Sequence, residues 1–84
     1  MFYVYFLSNS KDSSIYVGYT KNVDQRVVQH NQGKTRSLKS KIPVKVVKIE
    51  QYKTKTEVRK RELYLKRSWD AKIHALRTID GPIV

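Results

Sequence analysis

The stretch SIYVGYTKNVDQRVVQH, Ser14–His30, changes from a strand pattern to a helix pattern within a few residues of one glycine, Gly18. Ile15 to Tyr19 is aromatic and β-branched, as a half-buried strand requires. Asn22 then offers a side-chain oxygen to cap a helix, Gln25 completes the capping-box spacing, and Asp24 suits the positive end of the helix dipole. The spacing predicts a helix from Val23 to about Asn31, ended by Gln32 and by Gly33, a natural left-handed C-terminal residue. Gly18 sits where the strand ends, and its missing Cβ lets the backbone bend or a ligand come close.

Upstream, Phe2–Leu7 is continuously apolar and is followed by the turn-forming SNSKDSS, Ser8–Ser14. This predicts a first strand buried on both faces and paired with the next in an antiparallel hairpin. Downstream, Lys34–Pro43 is basic without a period and reads as a loop. Val44–Tyr52 reads as a third strand, with Val44 and Val46 on one side, Val47 and Ile49 on the other, and Pro43 at its start. Thr54 to Glu57 forms a second capping box opening a helix that runs through Val58–Trp69. Ser68 or Asp70 caps a last short helix carrying Ile73, Ala75, Leu76 and Ile79, which Gly81 and Pro82 stop. The predicted fold is a single α/β (α+β) domain over residues 1–84, in the order β-β-α-β-α-α. It has a small, three-stranded, mostly antiparallel sheet flanked by helices.

A chain of 84 residues supports one modest core, for which it has six tyrosines, two phenylalanines and one tryptophan. Eighteen Lys and Arg against seven Asp and Glu leave a net charge of +11. That imbalance favours a polyanionic partner, because phosphate contacts release condensed counterions, and nucleic acid leads among such partners. The chain contains no cysteine, which excludes disulfides and thiolate metal sites. No apolar run approaches the roughly 20 residues of a membrane span. The start FYVYFL lacks the basic segment and cleavage site of a signal peptide, so it is expected to be a structural strand of a cytoplasmic protein with no membrane contact.

Helical spacing puts Val23, Arg26, Val27 and His30 on one face, so the stripe that should pack on the sheet carries a guanidinium and an imidazole. Arg26 at the stripe's edge and His30 as a histidine satisfied near a helix C-terminus are the plain structural alternatives. In the second helix the stripe is Val58, Glu62, Leu65 and Trp69, with a carboxylate at a core position. Buried, Glu62 must meet a cation, hydrogen-bond donors or a metal. Alternatively Arg59, Arg61 or Lys66 neutralises it, and periodicity leaves both readings open. Tyr5 and Tyr16 lie in adjacent strands, opposed or diagonal, with Tyr3 sharing the parity of Tyr5. Each tyrosine alone reads as packing. Together, two phenols, a guanidinium, an imidazole and an inward carboxylate suit phosphodiester hydrolysis, which needs a base, a cation for the phosphorane, and a hard metal on carboxylate oxygen. Mg²⁺ tolerates a single protein carboxylate, because it keeps several waters and takes phosphate oxygens.

Tyr3-Val4-Tyr5, Tyr16-Val17-Gly18, Arg26, His30-Asn31 and Glu62 within KRELYLK resemble, in order, the motifs of the GIY-YIG nuclease superfamily. The small single-domain bacterial branch is the most similar, near the nuclease domain of structure-selective endonucleases that cut branched DNA. Tyr3 stands where the first motif has the glycine of the name. The resemblance implies a metal-dependent endonuclease using Mg²⁺ or Mn²⁺, acting on DNA more than RNA, with a connection to DNA repair. It also implies roles: Tyr5 as general base, Tyr16 positioning water or phosphate, Arg26 stabilising the phosphate, His30 assisting proton transfer, Glu62 binding metal, and Gly18 shaping the turn. Enzymes of this kind carry a separate targeting module, so a protein partner is expected to supply target specificity. Basic residues Lys34, Arg36, Lys39 and Lys41 are candidates for phosphate contact. A non-catalytic nucleic-acid binder keeping the fold is the alternative function, and a module recruiting an acidic protein is a third.

Overall fold

The computed structural model describes residues 1–77. Strands β1 (Phe2–Asn9) and β2 (Tyr16–Thr20) precede helix α1 (Val23–Asn31), a 3-10 helix (Arg36–Lys41), strand β3 (Val44–Tyr52), and helices α2 (Lys55–Arg67) and α3 (Trp69–Arg77). The sheet order is β2-β1-β3 and both pairings are antiparallel, as expected. Ile79, Gly81 and Pro82 lie outside the described residues.

The unbroken apolar run of β1 follows from its central place, because helices cover both faces. Val4 and Phe6 pack with Val17, Val58, Leu65, Ala71 and Ala75 beneath α2 and α3. Tyr5 and Leu7 pack on the other face with Leu38 and Val44, bordered by Tyr16, Val23, Val27 and Val46. Tyr19 pairs with Val4 and belongs to the first of these cores, away from Tyr5.

The helix ends follow their capping residues. Asn22 accepts a hydrogen bond from the Gln25 amide at 3.0 Å, and Thr54 and Glu57 form the full reciprocal box. Gly33 has φ +80° just beyond α1. At the end of α1, Asn31 imitates a strand: its amide donates to the Val44 carbonyl at 3.1 Å and accepts from the Val44 amide at 2.7 Å. This two-point contact fixes the helix to the start of β3.

Four expectations change. Phe6 pairs with Lys48 but Leu7 with Val46, so Val47 is an extra residue in β3. A bulge of this kind reverses side-chain parity. Ile49, opposite Tyr5, therefore shares the face of Val44 and Val46, while Lys48 and Glu50 turn toward α2 and α3. The expected loop at Lys34–Pro43 contains the 3-10 helix, whose Leu38 is buried. The second helix ends at Arg67 instead of running through Trp69, and Ser68, one of the two expected caps, accepts from the Ala71 amide at 3.1 Å and opens α3. Trp69 consequently leaves the buried stripe and is 51% exposed. Gly18 lies inside β2 opposite Tyr5, not in a turn.

One ion pair, with the buried Val58 and Leu65, ties α2 to the sheet. Arg61 grips Glu50 of β3 with two bonds, Nε to Oε1 at 2.8 Å and Nη2 to Oε2 at 3.0 Å, and Tyr52 donates to the same carboxylate at 2.7 Å. Such a forked pair has geometric as well as energetic specificity.

Candidate active site

Tyr5, Tyr16, Arg26, His30 and Glu62 arrive from four elements at the β2 side of the sheet. Tyr16 lies opposite Leu7 and so diagonal to Tyr5, with ring centroids 6.3 Å apart. The Tyr5 ring crosses Gly18, its cross-strand partner. A Cβ at residue 18 would stand 2.5 Å from the Tyr5 hydroxyl oxygen and 2.6 Å from Cζ. The close approach that the glycine allows is thus that of a tyrosine.

His30 is fully buried, and its Nε2 lies 2.8 Å from the Tyr5 oxygen. Its Nδ1 hydrogen-bonds the Thr35 hydroxyl. The imidazole also meets Tyr16 edge-on, with centroids 5.3 Å apart. Burial, and then the charge of Arg26, lower the His30 pKa, which favours the neutral ring at pH 7. Burial and the neighbouring Tyr16 push Tyr5 up to about 12, while the approach of Arg26 pulls the other way and Glu62 adds to the rise. Tyr5 is therefore a phenol at neutral pH. Arg26 can only donate, so the Tyr5 proton is assigned to the bond toward Nε2, which places the imidazole proton on Nδ1 facing Thr35.

Arg26 is half-buried and is held by Gln29, which accepts from Nη1 at 3.0 Å. Its charge reaches both Tyr5 and His30. Glu62 is only 9% exposed, at the core position the helical spacing predicts, and Lys66 one turn later approaches it at 3.2 Å. The same ammonium lies 5.9 Å from the centroid of the Tyr16 ring. Glu62 is thus paired with a cation, and its charge is felt by Tyr5.

Among the described residues, no three His, Cys, Asp or Glu side chains gather to hold a metal. Glu62 alone suits a hard ion such as Mg²⁺, whose remaining positions go to water and phosphate. Lys66 competes for that carboxylate.

Other expected contributors fall elsewhere. Tyr3 lines a separate groove with Lys21, Asn22, Val23, Asp24 and Ile49. Lys41 is committed to the β1–β2 loop, meeting Asp12 at 3.0 Å and Ser14 at 2.8 Å. Lys34, Arg36 and Lys39 are exposed. The sequence reading did not single out Thr35 or Gln29, and it named Lys66 only as one of three possible neutralisers. The i,i+4 spacing of Glu62 and Lys66 was the available signal, whereas nothing local links Thr35 to His30.

The model of the GIY-YIG catalytic domain matches residues 1–73. The chain belongs to the GIY-YIG catalytic domain family. This GIY-YIG domain is 43% identical over 62 residues to a UPF0213 protein of Staphylococcus epidermidis, covering 73% of the chain and 76% of the relative. It is 40% identical over 68 residues to a UPF0213 protein of Clostridium perfringens, covering 80% and 72%. The solution NMR structure of a UPF0213 protein from Bacillus halodurans aligns with a TM-score of 0.60 and 33% identity, over 98% of this chain and 89% of that one. No helix of the GIY-YIG domain is long and apolar enough, among the described residues, to cross a membrane.

The shifted tyrosines and His30 predict opposite pH limits to stability. Unfolded tyrosine ionises near 10, whereas folded Tyr5, and likewise half-buried Tyr52 beside Glu50, holds its proton to about 12. The unfolded chain then binds fewer protons, and stability falls as pH rises from 10 to 12. His30 acts in reverse: the unfolded imidazole gains a proton near pH 6.5 and the folded one resists, so stability falls as pH drops through and below 6.5. Urea midpoints measured across pH should show both limbs. The limb just below neutrality should vanish in His30→Gln, and its persistence there would assign it to other groups.

Proposed function

We propose that the chain, acting as one domain over residues 1–84, is an endonuclease that hydrolyses phosphodiester bonds in nucleic acid, DNA in preference to RNA. In this reading a divalent ion, Mg²⁺ or Mn²⁺, is held by Glu62, and when bound it supplies charge at the phosphate and acidifies water. The observation that supports it is the convergence of Tyr5, Tyr16, Arg26, His30 and Glu62. Arg26 and Tyr16, both half-buried, meet the scissile phosphate, and Arg26 stabilises its added charge. Tyr5 acts from behind them. A phenol of high pKa is a poor base unless its own proton leaves as it takes one from water. Neutral His30 offers Nε2 as the acceptor, and Nδ1–H keeps the ring oriented on Thr35. A cytoplasmic role in DNA repair, with a partner protein supplying target choice, fits this activity and the family resemblance.

One contact favours the alternative, a non-catalytic binder: Glu62 is already neutralised by Lys66. Cleavage of single-stranded, duplex and branched DNA and of RNA, with Mg²⁺ or Mn²⁺, separates the two. Metal-dependent cutting should fall about 10²-fold or more in both Glu62→Ala and Arg26→Ala. Cutting retained by both variants would identify a contaminant and remove the proposal. Binding without cleavage under either metal would establish the binder.

A further inference from the structure

The break at Ser68 turns Trp69 out of the buried stripe and leaves it 51% exposed at the first turn of α3. Lys72, one turn later, holds its ammonium 5.6 Å from the indole centroid and donates to the Ile15 carbonyl at 3.3 Å. That bond ties the Trp69–Lys72 pair to the residue preceding Tyr16. Tyr16 itself has Lys66 at its ring, 5.9 Å from the centroid and paired with Glu62. Two contacts thus lead from the open indole to the strand residue before Tyr16, and two more lead from Tyr16 through Lys66 to Glu62 of the candidate active site. Asp70, the nearest acid in sequence, lines a different groove between α2 and α3 with Arg61, Tyr64 and His74.

A single exposed aromatic is ordinary on a protein surface. An exposed indole beside a fixed ammonium, aligned with a phosphate-directed site on a chain of charge +11, has the chemistry of a single-strand platform. A base stacks on the ring, which every base face can do, and the cations meet the flanking phosphates. We propose that Trp69 stacks an unpaired base of single-stranded nucleic acid, with Lys72 and Lys66 contacting the phosphates that lead to Tyr16 and Glu62. The proposal deepens the nuclease reading and rests on it for the purpose of the bound strand. Its binding step stands apart from cleavage.

Trp69 is the chain's one tryptophan, so its emission reports this surface alone. The intact protein, in EDTA to suppress cutting, is titrated with a short oligothymidylate and with a blunt duplex of the same length. The single strand should quench the emission saturably and the duplex should leave it largely unchanged. By anisotropy of a labelled oligothymidylate, Trp69→Ala should bind about 5- to 150-fold more weakly. Trp69→Phe, which keeps an aromatic face and guards against a folding artefact, should retain most of the affinity. Unchanged emission at saturation, equal quenching by duplex, no binding, or wild-type affinity in Trp69→Ala would each overturn the proposal. Quenching without cleavage under either metal would instead sink the nuclease reading and leave this surface standing.

Discussion

Tyr5→Phe is expected to lower cleavage by about 10²–10⁴-fold, the usual contribution of a positioned acid–base group. The phenyl ring keeps the packing over Gly18 and against Tyr16, so the change removes one oxygen and little else. It leaves buried His30 Nε2 without the Tyr5 hydroxyl, which should destabilise the fold by about 1–3 kcal/mol. Single-turnover cleavage with urea unfolding of the same preparations separates these effects. A folded Tyr5→Phe protein that cuts at the wild-type rate would take Tyr5 out of the reaction.

Gly18→Ala should damage the same centre from the other strand. The new methyl carbon would lie 2.5 Å from the Tyr5 oxygen, 2.6 Å from Cζ and 3.1 Å from Cε1. The ring tip cannot simply swing aside, because its hydroxyl is bonded to His30 and its body is 1% exposed. Overpacking of this kind typically costs about 1–3 kcal/mol. Activity should fall as well, since any relief of the clash moves the hydroxyl off Nε2. Both losses depend on the ring, so a double-mutant cycle with Tyr5→Leu checks the cause: the methyl should be much less harmful once the ring is gone. Strict additivity of the two changes would contradict the contact.

The elements were legible because their signals are local. Asn22, Thr54 and Gly33 each act within a few residues, and β1 announces its central position by an apolar run that needs cover on both faces. Of the five candidate site residues, Arg26, His30 and Glu62 stood out as polar groups on apolar helix faces, and Tyr5 and Tyr16 joined them through the resemblance that orders all five. What escaped was set by tertiary contact. The bulge at Val47 depends on pairing with β1 and leaves no mark on the alternating pattern. The cap at Ser68 is legible beside Asp70, but the second helix reads on through Trp69, because a serine that caps one helix is also tolerated inside another. Thr35 reaches His30 only after the chain has turned at Gly33. The role of Gly18 was misread for the same reason: its constraint comes from a ring on another strand, not from its own backbone.

The forked bond between Arg61 and Glu50 has a consequence for the opposite edge of the sheet. Successive residues on a helix point about 100° apart, so clamping Arg61 to β3 also determines where the next side chain, Glu62, points. The clamp acts as a keyway: with it engaged, rolling of α2 is resisted, and Glu62 is held where its charge reaches Tyr5 on the β2 side. The aim of Glu62 is thus set across the full width of the sheet by Glu50, a residue that has no place in the chemistry.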